Sequence, residues 1–240
     1  MVAIQVMSDL YIDRDPSWES FRIQPTALYL ALLGNIGLLD DALFTFLEMQ
    51  LCHFRIVFYV LGPHELRQGK FVFLDNDRYD IPNSKVTILG SPLFSFPPIQ
   101  DRDYNYLTHV SAFRECVDFL HDATNAVIEA DPSQSICILT HYCPSRDERA
   151  LNGLDDEHVN LVSTDMEWFM FWHVPQLKLW AFGGTGHNCT LHNERIRRFL
   201  YTNQRGTGSP DEPHSCSHFR PTDRTHVYPM IYDVQNGRMS

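Results

Sequence analysis

Apolar runs that break off on a polar side chain recur along this chain. Ala3-Ile-Gln-Val-Met-Ser-Asp9 ends on a carboxylate, and Ala27-Leu-Tyr-Leu-Ala-Leu-Leu-Gly34-Asn35 ends on an amide. Phe54-Arg-Ile-Val-Phe-Tyr-Val-Leu-Gly-Pro-His-Glu65 stops at His64 and Glu65, and Ser135-Ile-Cys-Ile-Leu-Thr-His141 stops at His141. Runs that are apolar at successive positions predict strands covered on both faces, as in a largely parallel or sandwiched sheet. The carboxyl ends of such strands form the edge where ligands bind, so Asp9, Asn35, His64 and His141 are candidates for chemistry by position. Leu177-Lys-Leu-Trp-Ala-Phe182 adds a strand that runs into Gly183-Gly-Thr-Gly-His187.

Between the strands the period changes. Asp40 to Cys52 has apolar residues at helical spacing and acids in its first turn, where they complement the helix dipole, giving strand, helix, strand. Val110 to Ala130 predicts the longest helix, with Phe113, Cys116, Val117, Leu120, Ala123 and Val127 on one stripe. Val72 to Leu74 and Val86 to Gly90 predict short strands joined by the polar Asp75 to Ser84 loop, and Ser145 to Asn160 predicts a charged loop. Arg195 to Thr202 closes the regular part. Residues 1–203 are therefore expected to form one domain, with the Pro-, Gly- and Ser-rich residues 204–240 as an extension that wraps it.

Composition narrows the function. A net charge of −11 with scattered acids gives no basic stripe for a phosphate backbone, so no nucleic-acid partner is expected. No apolar run approaches membrane-spanning length and no signal segment opens the chain, which predicts a cytoplasmic protein with no membrane partner. Six cysteines are too sparse for a disulfide scaffold. His187, Cys189 and His192, with His214, Cys216 and His218, match no zinc-finger spacing. Met166-Glu-Trp-Phe-Met-Phe-Trp172 is dense in aromatics and reads either as core or as an apolar cleft wall built from Trp168, Phe169, Phe171 and Trp172.

Taken in order, Ser8-Asp-Leu-Tyr11, Leu33-Gly-Asn-Ile-Gly37, Leu61-Gly-Pro-His-Glu65, Thr140-His141 and Trp180-Ala-Phe-Gly-Gly-Thr-Gly186 resemble the motif series of the calcineurin-like metallophosphoesterases. The likeness covers roughly residues 3 to 205 and includes the Asn203-Gln-Arg-Gly206 stretch after the last motif. It implies an α/β fold, a four-layer α/β/β/α sandwich of two mixed sheets, with the site at the strands' carboxyl ends. It also exposes departures. The family's Asp-x-His, Gly-Asp, Gly-Asn-His-Asp/Glu, His and Gly-His-x-His set holds two metal ions. Here Tyr11, Asn35, Pro63, Gly184 and Gly186 replace ligands, while Asp9, His64 and His141 match.

Paired dications need anionic bridging and several imidazole or carboxylate ligands, which an amide, a proline and two glycines do not supply. His187 sits one residue from a ligand position, and on a strand a one-residue slip turns a side chain to the opposite face. No metal and no cofactor are expected. The chemistry is then assigned to Asp9, Tyr11, His64 and His141 as acid/base residues. Asn35, Glu65, His187 and the aromatic run are expected to contact a largely apolar small-molecule substrate that undergoes elimination, isomerisation or cyclisation. The alternatives are a catalytically dead binding module and a phosphoesterase using a single metal held by Asp9, Asn35 and His141.

Overall fold

The computed structural model describes residues 2–14, 21–62, 74–95, 104–193, 198–205, 231–233 and 238–239. Two sheets face each other. The first contains β1 (Ala3–Met7), β2 (Tyr29–Leu33), β3 (Ile56–Val60), β10 (Ile231–Asp233) and β11 (Arg238–Met239) in the order β11-β10-β1-β2-β3. The second contains β4 (Asp77–Asp80), β5 (Val86–Ser91), β6 (Ser135–Thr140), β7 (Leu177–Ala181), β8 (Thr190–Asn193) and β9 (Arg198–Tyr201) in the order β4-β5-β6-β7-β9-β8. β1, β2 and β3 run parallel, as do β5, β6, β7 and β9, and antiparallel strands lie at the edges.

The period of two in each strand divides the apolar residues among three cores. Tyr29, Ala31 and Leu33 of β2 meet Cys137 and Leu139 of β6 between the sheets. Leu30 and Leu32 point the other way, onto α1 (Asp41–Leu51) through Phe46 and Leu47. Ile136 and Ile138 pack against α2 (Tyr104–Ala130) through Phe113, Val117 and Leu120. These are the four layers of an α/β/β/α sandwich. At α1 the Asp40 side chain accepts the Leu43 N–H at 3.1 Å, which answers one of the donors left open at the helix start.

Some local readings differ from the sequence expectation. Asp77–Asp80, expected as loop, forms β4 and pairs with β5 through a turn whose Asn83 has φ 58°. Its composition is polar because it is an edge: Arg78 pairs with Asp80 at 3.0 Å and Thr87 donates to Asp80 at 2.6 Å, so charge rather than apolar burial finishes the sheet. The charged loop contains α3 (Asp156–Val162), capped by Asp155, which accepts the His158 N–H at 2.9 Å. Residues 71–73 and most of the C-terminal extension, 206–230, lie outside the described residues. The extension's strand β10 pairs with β1, Ala3 opposite Asp233. No described helix is long and apolar enough to cross a membrane.

Candidate functional site

The loops that leave β1, β2, β6 and β7 are tied together by backbone before any side chain enters. The Asp9 N–H donates to Gly34 O at 3.0 Å, the Tyr11 N–H to Asn35 O at 3.1 Å, and the Gly183 N–H to His141 O at 2.9 Å. Side chains add to this link between the sheets, beginning with His141 Nδ1 to Leu33 O at 2.8 Å. Because a carbonyl oxygen only accepts, Nδ1 carries the proton, and in the neutral ring Nε2 presents its lone pair.

Asn35 is the hub. Its Nδ2 lies 3.0 Å from Asp9 Oδ1, 3.1 Å from the Tyr11 hydroxyl oxygen and 3.4 Å from His141 Nε2. An amide has two hydrogens, and three acceptors converge on them. A carboxylate oxygen cannot donate, so the nitrogen and not the oxygen of the amide must face Asp9. The second carboxylate oxygen, Asp9 Oδ2, accepts the Gly184 N–H at 3.1 Å. Asp9, Asn35 and His141 are all buried, Asp9 at 4% and His141 at 2% exposure.

The backbone here is strained. Asp9, Tyr11 and Asn35 have φ of 51°, 44° and 52°. Asp and Asn tolerate the left-handed region and tyrosine does not, so Tyr11 is the outlier, at a cost of about 1–3 kcal/mol. Gly34, at φ 80°, lets β2 pass beneath the imidazole: a Cβ there would stand 2.4 Å from His141 Nδ1. Gly184, at φ 72°, does the same on the far side, with an added Cβ 3.0 Å from His141 Nε2. At the position where the resemblance expects a histidine, Gly184 supplies a backbone donor to Asp9 and room for His141.

No family model matches the chain, and no curated protein matches it. Solved structures do. Phosphopantetheinyl hydrolase (PptH) from Mycobacterium tuberculosis superposes with a TM-score of 0.59 at 15% identity, covering 84% of this chain and 88% of that one. A dimetal phosphatase from Danio rerio superposes with a TM-score of 0.54 at 11% identity, covering 84% of this chain and 86% of that one. The fold is that of the metallophosphoesterases.

Within that fold the donor set does not suit a pair of dications. At the position the resemblance gives to the bridging aspartate, the Asn35 amide turns N–H groups, not lone pairs, toward Asp9, Tyr11 and His141. Among the described residues no three His, Cys, Asp or Glu side chains gather as a metal would need.

Of the expected site residues, Asp9, Tyr11, Asn35 and His141 come together. His64 and Glu65 lie outside the described residues. His187 is buried in the loop after β7, where its carbonyl accepts from Gln204 Nε2 at 2.9 Å.

The aromatic run goes elsewhere. Phe171 and Trp172 are buried on the helix-covered face of the second sheet, against Trp180, and Phe169 stacks on Phe171 at 5.7 Å. Trp168 is 85% exposed. Phe171 and Trp172 are thus core residues, which corrects the expectation of a cleft wall. The ring beside His141 is instead Tyr142, edge-on at 5.2 Å, and Phe94 lies 6.0 Å from Tyr142. Burial pushes the Tyr142 phenol up to about 12, so it stays neutral.

Sequence reasoning passed over Gln204 as well. Its Oε1 accepts the Gly186 N–H at 2.8 Å, its Nε2 donates to Thr185 Oγ1 at 2.8 Å and to Thr202 Oγ1 at 2.7 Å, and its backbone bridges Ser8 beside Asp9. Only the Asn203-Gln-Arg-Gly206 likeness marked that stretch.

Proposed function

We propose that this chain uses the metallophosphoesterase scaffold for metal-independent proton transfer on a small molecule, in an elimination, isomerisation or cyclisation. The observation that carries the reading is the Asn35 amide, held by Asp9 and facing both Tyr11 and His141. His141 is the base. Its Nδ1–H is committed to Leu33 O, so the lone pair belongs to Nε2, on the side shared with Asn35 and Tyr11. Tyr11 is the acid, its hydroxyl within 3.1 Å of the same amide. Asp9 and Asn35 are positioning residues: Asp9 fixes the amide and the amide fixes the two reacting groups. Tyr142 and Phe94 supply the apolar side of the substrate pocket. The phosphoester hydrolysis that the neighbours' names describe would need ligands that this site has exchanged for an amide and glycines.

Proton transfer leaves a label. Protein dialysed against EDTA is incubated with a small-molecule extract in deuterated water, and products are followed by mass spectrometry. The expected result is a compound that gains deuterium or changes mass with wild-type protein, at a rate lowered about 10²–10⁴-fold by His141→Gln. No change with the EDTA-treated protein, together with manganese-stimulated hydrolysis of bis(p-nitrophenyl) phosphate by wild type, would overturn the reading in favour of a single-metal phosphoesterase.

A further inference from the structure

Arg198 opens β9 at the end of the second sheet away from the Asp9–His141 group, since β9 runs parallel to β7 and β7 leads into Gly183. It is 2% exposed, although arginine is seldom buried without a partner. Its guanidinium lies over the Trp172 ring, Cζ 3.9 Å from the centroid, and Trp172 packs in turn on Trp180 at 5.3 Å. The stacking engages the face of the guanidinium and leaves its edge. Neither Nη1 nor Nη2 has a hydrogen-bond acceptor among the described residues.

A buried guanidinium with both terminal nitrogens unanswered is costly, and the cation–π contact offsets only part of the lost hydration. Burial lowers Arg198 to about 9, and the carboxylate acting against that shift is Glu167, which is exposed. A planar fork with one face stacked and a two-nitrogen edge unanswered matches two oxygens on one atom.

We propose that Arg198 and Trp172 form an oxyanion-binding site, separate from the acid/base cleft, in which the Arg198 fork takes two oxygens of a carboxylate or phosphate group and the Trp172 ring fixes the plane of the fork. Arginine serves better than lysine because the pairing is bidentate, and methionine would fill the same space with no charge to answer.

The test uses the full chain at constant ionic strength, with sodium chloride exchanged for inorganic phosphate in one series and for acetate in another, each equilibrated before thermal unfolding is followed by circular dichroism. The wild type is expected to gain about 3–5 °C at roughly tenfold excess over the dissociation constant, saturating with phosphate, acetate or both. A response to phosphate alone assigns the site to phosphate groups, and a response to acetate extends it to carboxylates. Arg198→Met is expected to melt no lower than wild type in chloride and to give no anion response, and Arg198→Lys to give less than half the shift. A wild type flat in both series would overturn the proposal, as would Arg198→Met responding like wild type. So would Glu167→Gln lowering the melting temperature in chloride in the wild-type background and not in Arg198→Met, since the charge would then be answered internally. Should Arg198→Met not fold, an undiminished response in Arg198→Lys overturns the bidentate site.

Discussion

Replacing Asn35 with aspartate changes little in shape and reverses the electrostatics of the site. The Nδ2 that donates to Asp9 Oδ1 at 3.0 Å gives way to a second carboxylate oxygen at that distance. Two unit charges so placed repel by about 5 kcal/mol at an effective dielectric constant of ~20, equivalent to about 4 units of proton affinity. The cheapest relief is a proton shared by the pair, held to higher pH than an isolated carboxyl would hold it. The folded variant then binds more protons than its unfolded chain, so the stability it keeps at low pH is lost as pH rises through the raised value. Measured against wild type by urea unfolding, the deficit should be about 1 kcal/mol at about pH 4.5 and about 3–5 kcal/mol at about pH 7.5. Manganese should restore stability to the variant at the higher pH and leave wild type unchanged, because the new carboxylate gives a dication the anionic ligand that the amide withholds. A deficit equal at both pH values would refute the reasoning: the loss would then come from packing, and the amide would not be the donor that holds Asp9.

Tyr11→Phe removes the hydroxyl from Asn35 and keeps the strained backbone, so turnover of the labelled compound should fall about 10²-fold or more with the melting temperature little changed. Gly34→Ala sets a methyl group 2.4 Å from His141 Nδ1 at a φ of 80°, and a loss of about 3 kcal/mol or more is expected in urea unfolding. Trp180→Phe deletes the buried bond from Trp180 Nε1 to Thr140 Oγ1 at 3.0 Å, immediately before His141, and should cost about 1–3 kcal/mol in the same assay. Burial raises the Cys137 and Cys143 thiols and pushes Cys189 up to about 12, so a thiol reagent applied to native protein should modify exposed Cys52 and leave Cys137 and Cys143 until the chain unfolds.

The strands and their carboxyl ends were legible because burial on two faces leaves an unbroken apolar signature. Tyr29 to Leu33 is one such run, and the polar residue after each run marks where the chain leaves the core. Asn35 was visible as a position and not as a role: the resemblance expects a carboxylate there, while the meeting of Asp9, Tyr11 and His141 on its nitrogen depends on contacts far apart in the chain. For Phe171 and Trp172 the choice between core and cleft wall stayed open for a related reason. Hydrophobic density says that rings will be buried and does not say on which side of a sheet, and here the covered side holds α2. Tyr142 went unread because a residue between a motif histidine and a buried cysteine looks like core. β4 failed the strand pattern because an edge strand is finished by charge.

The strand that carries Asp9 has an unusual dependence on the order of synthesis. β1 lies between β2 and β10, with Ala3 opposite Asp233. On the ribosome, at about 5–20 residues per second, roughly 10–45 s separate the emergence of β1 from that of its second neighbour. During that interval β1 has an unpaired ladder along the edge that β10 later covers. The half-made chain is therefore the form most exposed to mispairing, and a nascent-chain factor that shields β1 would act on yield rather than on the finished protein.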